Sequence, residues 1–130
     1  MAIKNNLIQI KNLNNETLDF DNVLSSSKSI LIKNCINLKI NIQSKINKII
    51  IENSKQIFLT VKKLVTGFEI SHSKHILLHL DMFVGLSEDF LSYIPHIDLY
   101  KSELYLIGNK DKYKDIKISC QLSEIHQIEL

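Results

Sequence analysis

Ile30-Leu31-Ile32-Lys33-Asn34-Cys35-Ile36-Asn37-Leu38-Lys39-Ile40 is the stretch that decides the fold, because the chain repeats it. It returns as Ile49-Ile50-Ile51-Glu52-Asn53-Ser54-Lys55-Gln56-Ile57-Phe58-Leu59 and again as Phe68-Glu69-Ile70-Ser71-His72-Ser73-Lys74-His75-Ile76-Leu77-Leu78, with starts 19 residues apart. A fourth copy opens at Ile97 after one period plus ten residues, and a fifth is read 19 residues later at Ile116. Ile8-Gln9-Ile10-Lys11-Asn12 is a weaker copy near the N-terminus. Each copy runs apolar-x-apolar, polar corner, apolar-x-apolar, the alternation of a strand with one buried face. Helix-pair repeats need 33 residues or so, so a period of 19 excludes them.

Apolar residues continue around the period. Twelve positions after each start stand Ile42, Val61 and Leu80; sixteen after stand Ile46, Val65, Val84 and Tyr113. Each coil therefore has a third apolar side. The pattern predicts an all-β, right-handed parallel β-helix of about five to six coils, its aliphatic residues stacked in columns. Four positions after each start lie Asn34, Asn53, His72, Lys101 and Cys120, where Asn suits a left-handed corner and stacked amides would bond coil to coil. Cys35, Ser54, Ser73 and Ser102 follow as small residues inside the bend. On this register both cysteines are buried, inert and too far apart for a disulfide. Outward, Lys33 pairs with Glu52.

The chain of 130 residues reads as one domain. Residues 1–28 form an N-terminal coil and cap, with 12–28 as loop; 29–80 are regular coils, 81–93 an insertion and 94–130 the C-terminal coils. Within the insertion, Ser87 before Glu88 and Asp89 predicts a helical N-cap, and Pro95 ends the segment.

Composition limits the function. The sequence is 45% hydrophobic and 23% charged with a formal charge of +2, and every one of its sixteen basic residues is lysine. Without arginine there is no arginine finger and no guanidinium fork for phosphate or guanine, so a nucleic-acid partner is not expected. No apolar run is long enough for a membrane helix and the N-terminus lacks a secretory signal's apolar core, so no membrane partner and a cytoplasmic location are expected. Two cysteines without a CxxC pair fit reduced thiols. Among five histidines, His72, His75 and His79 would share a helix face, but on extended chain they diverge, so no metal site is expected. With no Gly-rich phosphate loop and no nucleophile beside a base, no catalytic residue and no cofactor are assigned; the chain is not read as an enzyme.

One outward column differs from ordinary surface. Nine positions after the starts stand Lys39, Phe58 and Leu77, and with a one-residue slip Tyr105. Such a ladder is either covered by residues 1–28 or the insertion, or open to a partner or a second subunit.

The repeat resembles the C-terminal domain shared by cyclase-associated protein and tubulin-binding cofactor C. The carriers are Ile32-Lys33-Asn34-Cys35, Ile51-Glu52-Asn53-Ser54, Ile70-Ser71-His72-Ser73 and Ile94-Pro95-His96-Ile97-Asp98-Leu99-Tyr100-Lys101-Ser102. The last is similar to the Pro-x-Ile-x-Ile-x-Lys-Thr run of the cyclase-associated branch, which is the nearer one. That branch implies a non-catalytic module that binds monomeric actin or a related cytoskeletal protein, modulates its nucleotide exchange, and often dimerises. Partner-binding residues on this reading are Lys101, Ser102, Phe58, Leu77 and Tyr105. The cofactor C branch implies an arginine that accelerates GTP hydrolysis. The matching segment here, Thr66-Gly67-Phe68-Glu69-Ile70-Ser71-His72, has none, so the alternative is a catalytically silent GTPase-binding domain. A further alternative is a structural, self-assembling β-helix, whose open ends permit homo-oligomers.

Overall fold

Strands wind in parallel around one apolar axis. The computed structural model describes residues 1–20, 27–81 and 95–129. In chain order the strands are β1 (Ala2–Lys4), β2 (Leu7–Lys11), β3 (Asn14–Phe20), β4 (Ser29–Lys33), β5 (Ile36–Glu52), β6 (Lys55–Ser71), β7 (Lys74–Leu80), β8 (His96–Tyr100), β9 (Glu103–Ile107), β10 (Lys117–Gln121) and β11 (Glu124–Ile128). β1 lies antiparallel on β2, and every other pairing among the described residues is parallel. The first side of the solenoid runs β2, β4, the C-terminal parts of β5 and β6, β8 and β10. The second side runs β3, the N-terminal parts of β5 and β6, β7, β9 and β11. This is an all-β solenoid of about five turns.

The starts stack as the period requires: Ile8 opposes Ile30, Ile30 opposes Ile49, Ile49 opposes Phe68, and Phe68 opposes Ile97. Ile8, Ile30, Ile49, Phe68 and Ile97 are all buried, as are Ile42, Val61 and Leu80 of the third side. Such branched aliphatics satisfy both strand propensity and close packing in a column.

Corners are set by backbone chirality. Asn12, Asn34, Asn53, His72, Lys101 and Leu122 all hold φ between 48° and 59°. Asn takes this left-handed conformation readily, whereas Leu122 takes it at a cost. A second left-handed column, Asn15, Asn37, Gln56 and His75, follows three residues on in each of its turns. Behind the first corner runs a ladder. The amide of Cys35 donates to Ser54 Oγ (3.1 Å), Ser54 N to Ser73 Oγ (3.0 Å), Ser73 N to Ser102 Oγ (3.1 Å) and Ser102 N to Ser123 Oγ (2.9 Å). Each hydroxyl in turn donates to the carbonyl two residues before it, on Glu52, Ser71, Tyr100 and Gln121. The buried amides are thereby satisfied without water. The coil-to-coil amide contact expected at Asn34 and Asn53 falls at the second corner, where Asn37 Nδ2 donates to Asn15 Oδ1 at 2.8 Å.

Four sequence expectations need correction. The last coil starts at Ile118, which opposes Ile97, and not at Ile116. A 3-10 turn at Lys110–Lys112, capped by the Asn109 side chain, takes up two further residues before β10. Cys120 therefore lies in a strand opposite Leu99 and is exposed; Leu122 takes the corner and Ser123 the ladder position. Cys35 is buried as expected, and both thiols are free. Ile46 is stacked by Leu64 rather than Val65, because bulges on the third side are placed differently in β5 and β6. Leu64 is buried in consequence and Val65 only half-buried. Finally, the 12–28 stretch contains a full strand, β3, paired with β5. The expected helical turn at Ser87 lies outside the described residues.

Tyr113 closes the third side in the last turns. It is buried, its hydroxyl donates to Ile107 O (2.5 Å), and it accepts the Leu80 amide (3.3 Å). Burial pushes its phenol above the ordinary tyrosine pKa.

Candidate functional site

The second side presents one outward column across the turns. Thr17 opposes Lys39, Lys39 opposes Phe58, Phe58 opposes Leu77, Leu77 opposes Tyr105, and Tyr105 opposes His126. Parallel in-register pairing leaves these side chains projecting from adjacent rungs at the inter-strand spacing of about 4.8 Å. Phe58, Leu77 and Tyr105 are half-buried, each shielded by its neighbours in the column while one edge stays open. The structure thus brings together the three apolar residues singled out in the sequence and adds His126, whose ring stacks on Tyr105 with centroids 4.7 Å apart and planes 21° apart. His126 escapes the sequence reading because the start was placed at Ile116, two residues early.

Lys101 and Ser102 lie at the adjoining corner and do different things. Lys101 holds φ 49°, is exposed, and places its Nζ 5.4 Å from the centre of the Tyr100 ring. Ser102 is buried with its hydroxyl committed to the ladder, which holds Lys101 in its left-handed turn. Tyr100 also meets His72 edge-on at 5.4 Å.

Partial burial, and then the nearby carboxylates of Glu103 and Glu124, push the Tyr105 phenol above its ordinary pKa. Glu103 begins β9 and directly opposes Glu124. The Glu103 carboxylate lies 3.1 Å from His75 Nδ1, and Glu124 lies 3.3 Å from His126 Nε2. His72, His75 and His79 diverge as extended chain requires: the first sits on Tyr100, the second on Glu103, and the third lies 4.0 Å from Asp81. The first side carries ordinary surface pairs, Lys33–Glu52 at 3.9 Å and Lys48–Glu69 at 2.6 Å. Gly67 sits where space is tight, since a Cβ there would lie 3.0 Å from the His96 carbonyl oxygen. Among the described residues, no helix is long and apolar enough to cross a membrane.

Comparison with known proteins agrees with this geometry. The crystal structure of cyclase-associated protein from Cryptosporidium parvum superposes with a TM-score of 0.80 at 19% identity, covering 98% of this chain and 76% of that one. Likeness at that identity shows the fold. No curated protein matches the chain by sequence. The family model for the adenylate cyclase-associated (CAP) C terminal matches residues 1–85, well over half of the chain. The repeat is common to both branches, and the family match selects the cyclase-associated one: the chain belongs to the family of adenylate cyclase-associated protein C-terminal domains.

Proposed function

We propose that this chain is a non-catalytic protein-binding module of the cytoplasm that engages monomeric actin through the second side of its solenoid. In this reading it modulates actin's nucleotide exchange by favouring one conformation of its partner. The observation that carries the choice of face is the stacked column of Phe58, Leu77, Tyr105 and His126. Aromatic and aliphatic groups held in register on a rigid sheet lose little side-chain entropy on binding, and such groups dominate interface energetics. Lys101 supplies charge at the rim, where it steers encounter more than it adds affinity. Ser102 contributes by positioning Lys101.

The test is capture of ADP-actin by the purified chain, together with release of a fluorescent nucleotide from actin. Leu77→Asp and Tyr105→Ala are expected to weaken capture at least tenfold and to remove any effect on exchange, with the fold intact by circular dichroism. Equal capture by wild type and both variants overturns the choice of face, and no capture by wild type overturns the partner.

A second reading, self-association, is favoured by a separate observation. The last turn leaves large apolar side chains uncovered, with Ile118 43%, Leu122 76% and Ile128 39% exposed, and β10 and β11 each pair on one edge only among the described residues. Sedimentation across a hundredfold concentration range tests it. A dimer that Ile118→Lys dissociates supports it, and a monomer throughout removes it.

A further inference from the structure

We propose that the last two turns carry a site for one divalent transition cation of the zinc class, held by Glu103, Glu124 and His126. One donor atom from each residue comes within 4.8 Å of the others. All three belong to two adjacent strands, β9 and β11, whose register brings Glu103 opposite Glu124 and Tyr105 opposite His126.

Charge supplies the second argument. Like charges directly opposed across a strand pair destabilise it. The column also opposes Lys55 and Lys74 in earlier turns, but long exposed ammonium stems separate into water, whereas Glu103 is tied down. Its side chain is only 23% exposed, and one of its oxygens accepts the His75 amide at 3.3 Å while facing His75 Nδ1 at 3.1 Å. Lys74 and Lys101 border the same cleft, yet among the described residues the ion-pair partners of Glu103 and Glu124 are imidazoles. A divalent cation shared by the two directly opposed carboxylates relieves their mutual repulsion.

The donor set selects the metal. One imidazole nitrogen and two carboxylate oxygens suit zinc, whereas calcium and magnesium take all-oxygen shells. Tetrahedral zinc at about 2.0–2.1 Å needs donors about 3.4 Å apart. Glu124 Oε2 and His126 Nε2 already stand 3.3 Å apart, and the exposed Glu124 side chain has room to approach the Glu103 carboxylate. Tyr105 stacked on His126 fixes the imidazole plane, and His75 orients Glu103; metal sites use outer partners of this kind. The consequence is mechanical. β11 is mostly exposed and among the described residues pairs only with β9, so the ion would clasp the last turn to the one before it. The site shares His126 with the proposed partner face but does not depend on that reading.

The test uses zinc chloride alone with the full chain carrying Cys120→Ser, which removes an exposed competing thiol. Equilibrium dialysis is expected to give one zinc per chain, with affinity at least tenfold lower in His126→Ala and in Glu124→Gln and unchanged in His96→Ala. Amide exchange over Glu124–Ile128 is expected to slow with zinc in the parent and not in His126→Ala. Absent saturable binding, binding indifferent to His126→Ala and Glu124→Gln, or an equal loss in His96→Ala overturns the site. Saturable binding that leaves exchange over β11 unchanged overturns the clasp.

Discussion

Ser73→Ala tests the corner ladder where it is deepest. Ser73 is 1% exposed, and its hydroxyl accepts the Ser54 amide at 3.0 Å while donating to the Ser71 carbonyl at 2.9 Å. Alanine differs by one oxygen, so packing loss is small and the effect is almost wholly polar. The Ser54 amide is left buried with no acceptor, which costs about 1–3 kcal/mol, and the lost donation adds a few tenths. The expected destabilisation is about 2 kcal/mol. For a chain of this size that is roughly 6–10 °C in Tm, interpolating between the usual values for smaller and larger domains. Urea unfolding followed by circular dichroism measures it, with the m-value checked for constancy. Ser73→Cys should recover part of the loss, because Cys35 occupies the equivalent position and its Sγ donates to Lys33 O at 3.3 Å. Ser119→Ala, at an exposed strand position, should stay within about 0.5 kcal/mol of wild type. A Ser73→Ala variant as stable as Ser119→Ala would refute the claim that the hydroxyl ladder holds the corners.

Other outcomes follow from single features. Asn53→Val should cost about 1–2 kcal/mol in urea unfolding, because a branched side chain resists φ 48°, while Asn53→Gly should stay close to neutral. Tyr113 has a folded-state pKa above the unfolded value of 10.0, so its neutral form contributes stability that is full below that value and lost as pH rises toward the folded one. Unfolding midpoints should therefore fall above about pH 10, and Tyr113→Phe should flatten that slope while lowering stability at neutral pH through the lost bond to Ile107 O. Lys33→Ala should shift the midpoint by less than about 0.5 kcal/mol, since both partners of the Lys33–Glu52 pair are well exposed.

The architecture was legible because a parallel solenoid writes its geometry into one number. Ile30, Ile49 and Phe68 recur at a fixed phase, and only coils of equal length bring them over one another. The outward column of Lys39, Phe58, Leu77 and Tyr105 was legible for the same reason. Errors arose where coil length changed without a loss of apolar character. At Ile116 the aliphatic pattern stays in phase by coincidence, while the turn at Lys110–Lys112 shifts the true rung to Ile118. That slip hid both His126 and the exposure of Cys120. Leu64 and Val65 are adjacent and alike, so composition could not choose between them, and the choice belongs to a bulge. The hydroxyl ladder was visible as a column of small residues. Its bonding was not, since each serine's role depends on the amide of the preceding turn.

The short separation between opposed residues, 19 positions in the central turns, also bears on how such a chain acquires its shape. Closing a loop costs entropy that grows only slowly with loop length. Bringing Ile30 against Ile49 requires the same closure as bringing Ile49 against Phe68. No step awaits a distant partner, and once one winding exists it offers the next both a row of unpaired amides and a greasy shelf. Growth can thus begin at any well-made winding and zip outward in either direction. The Ile-rich middle, with two 17-residue strands lying side by side, is the natural seed.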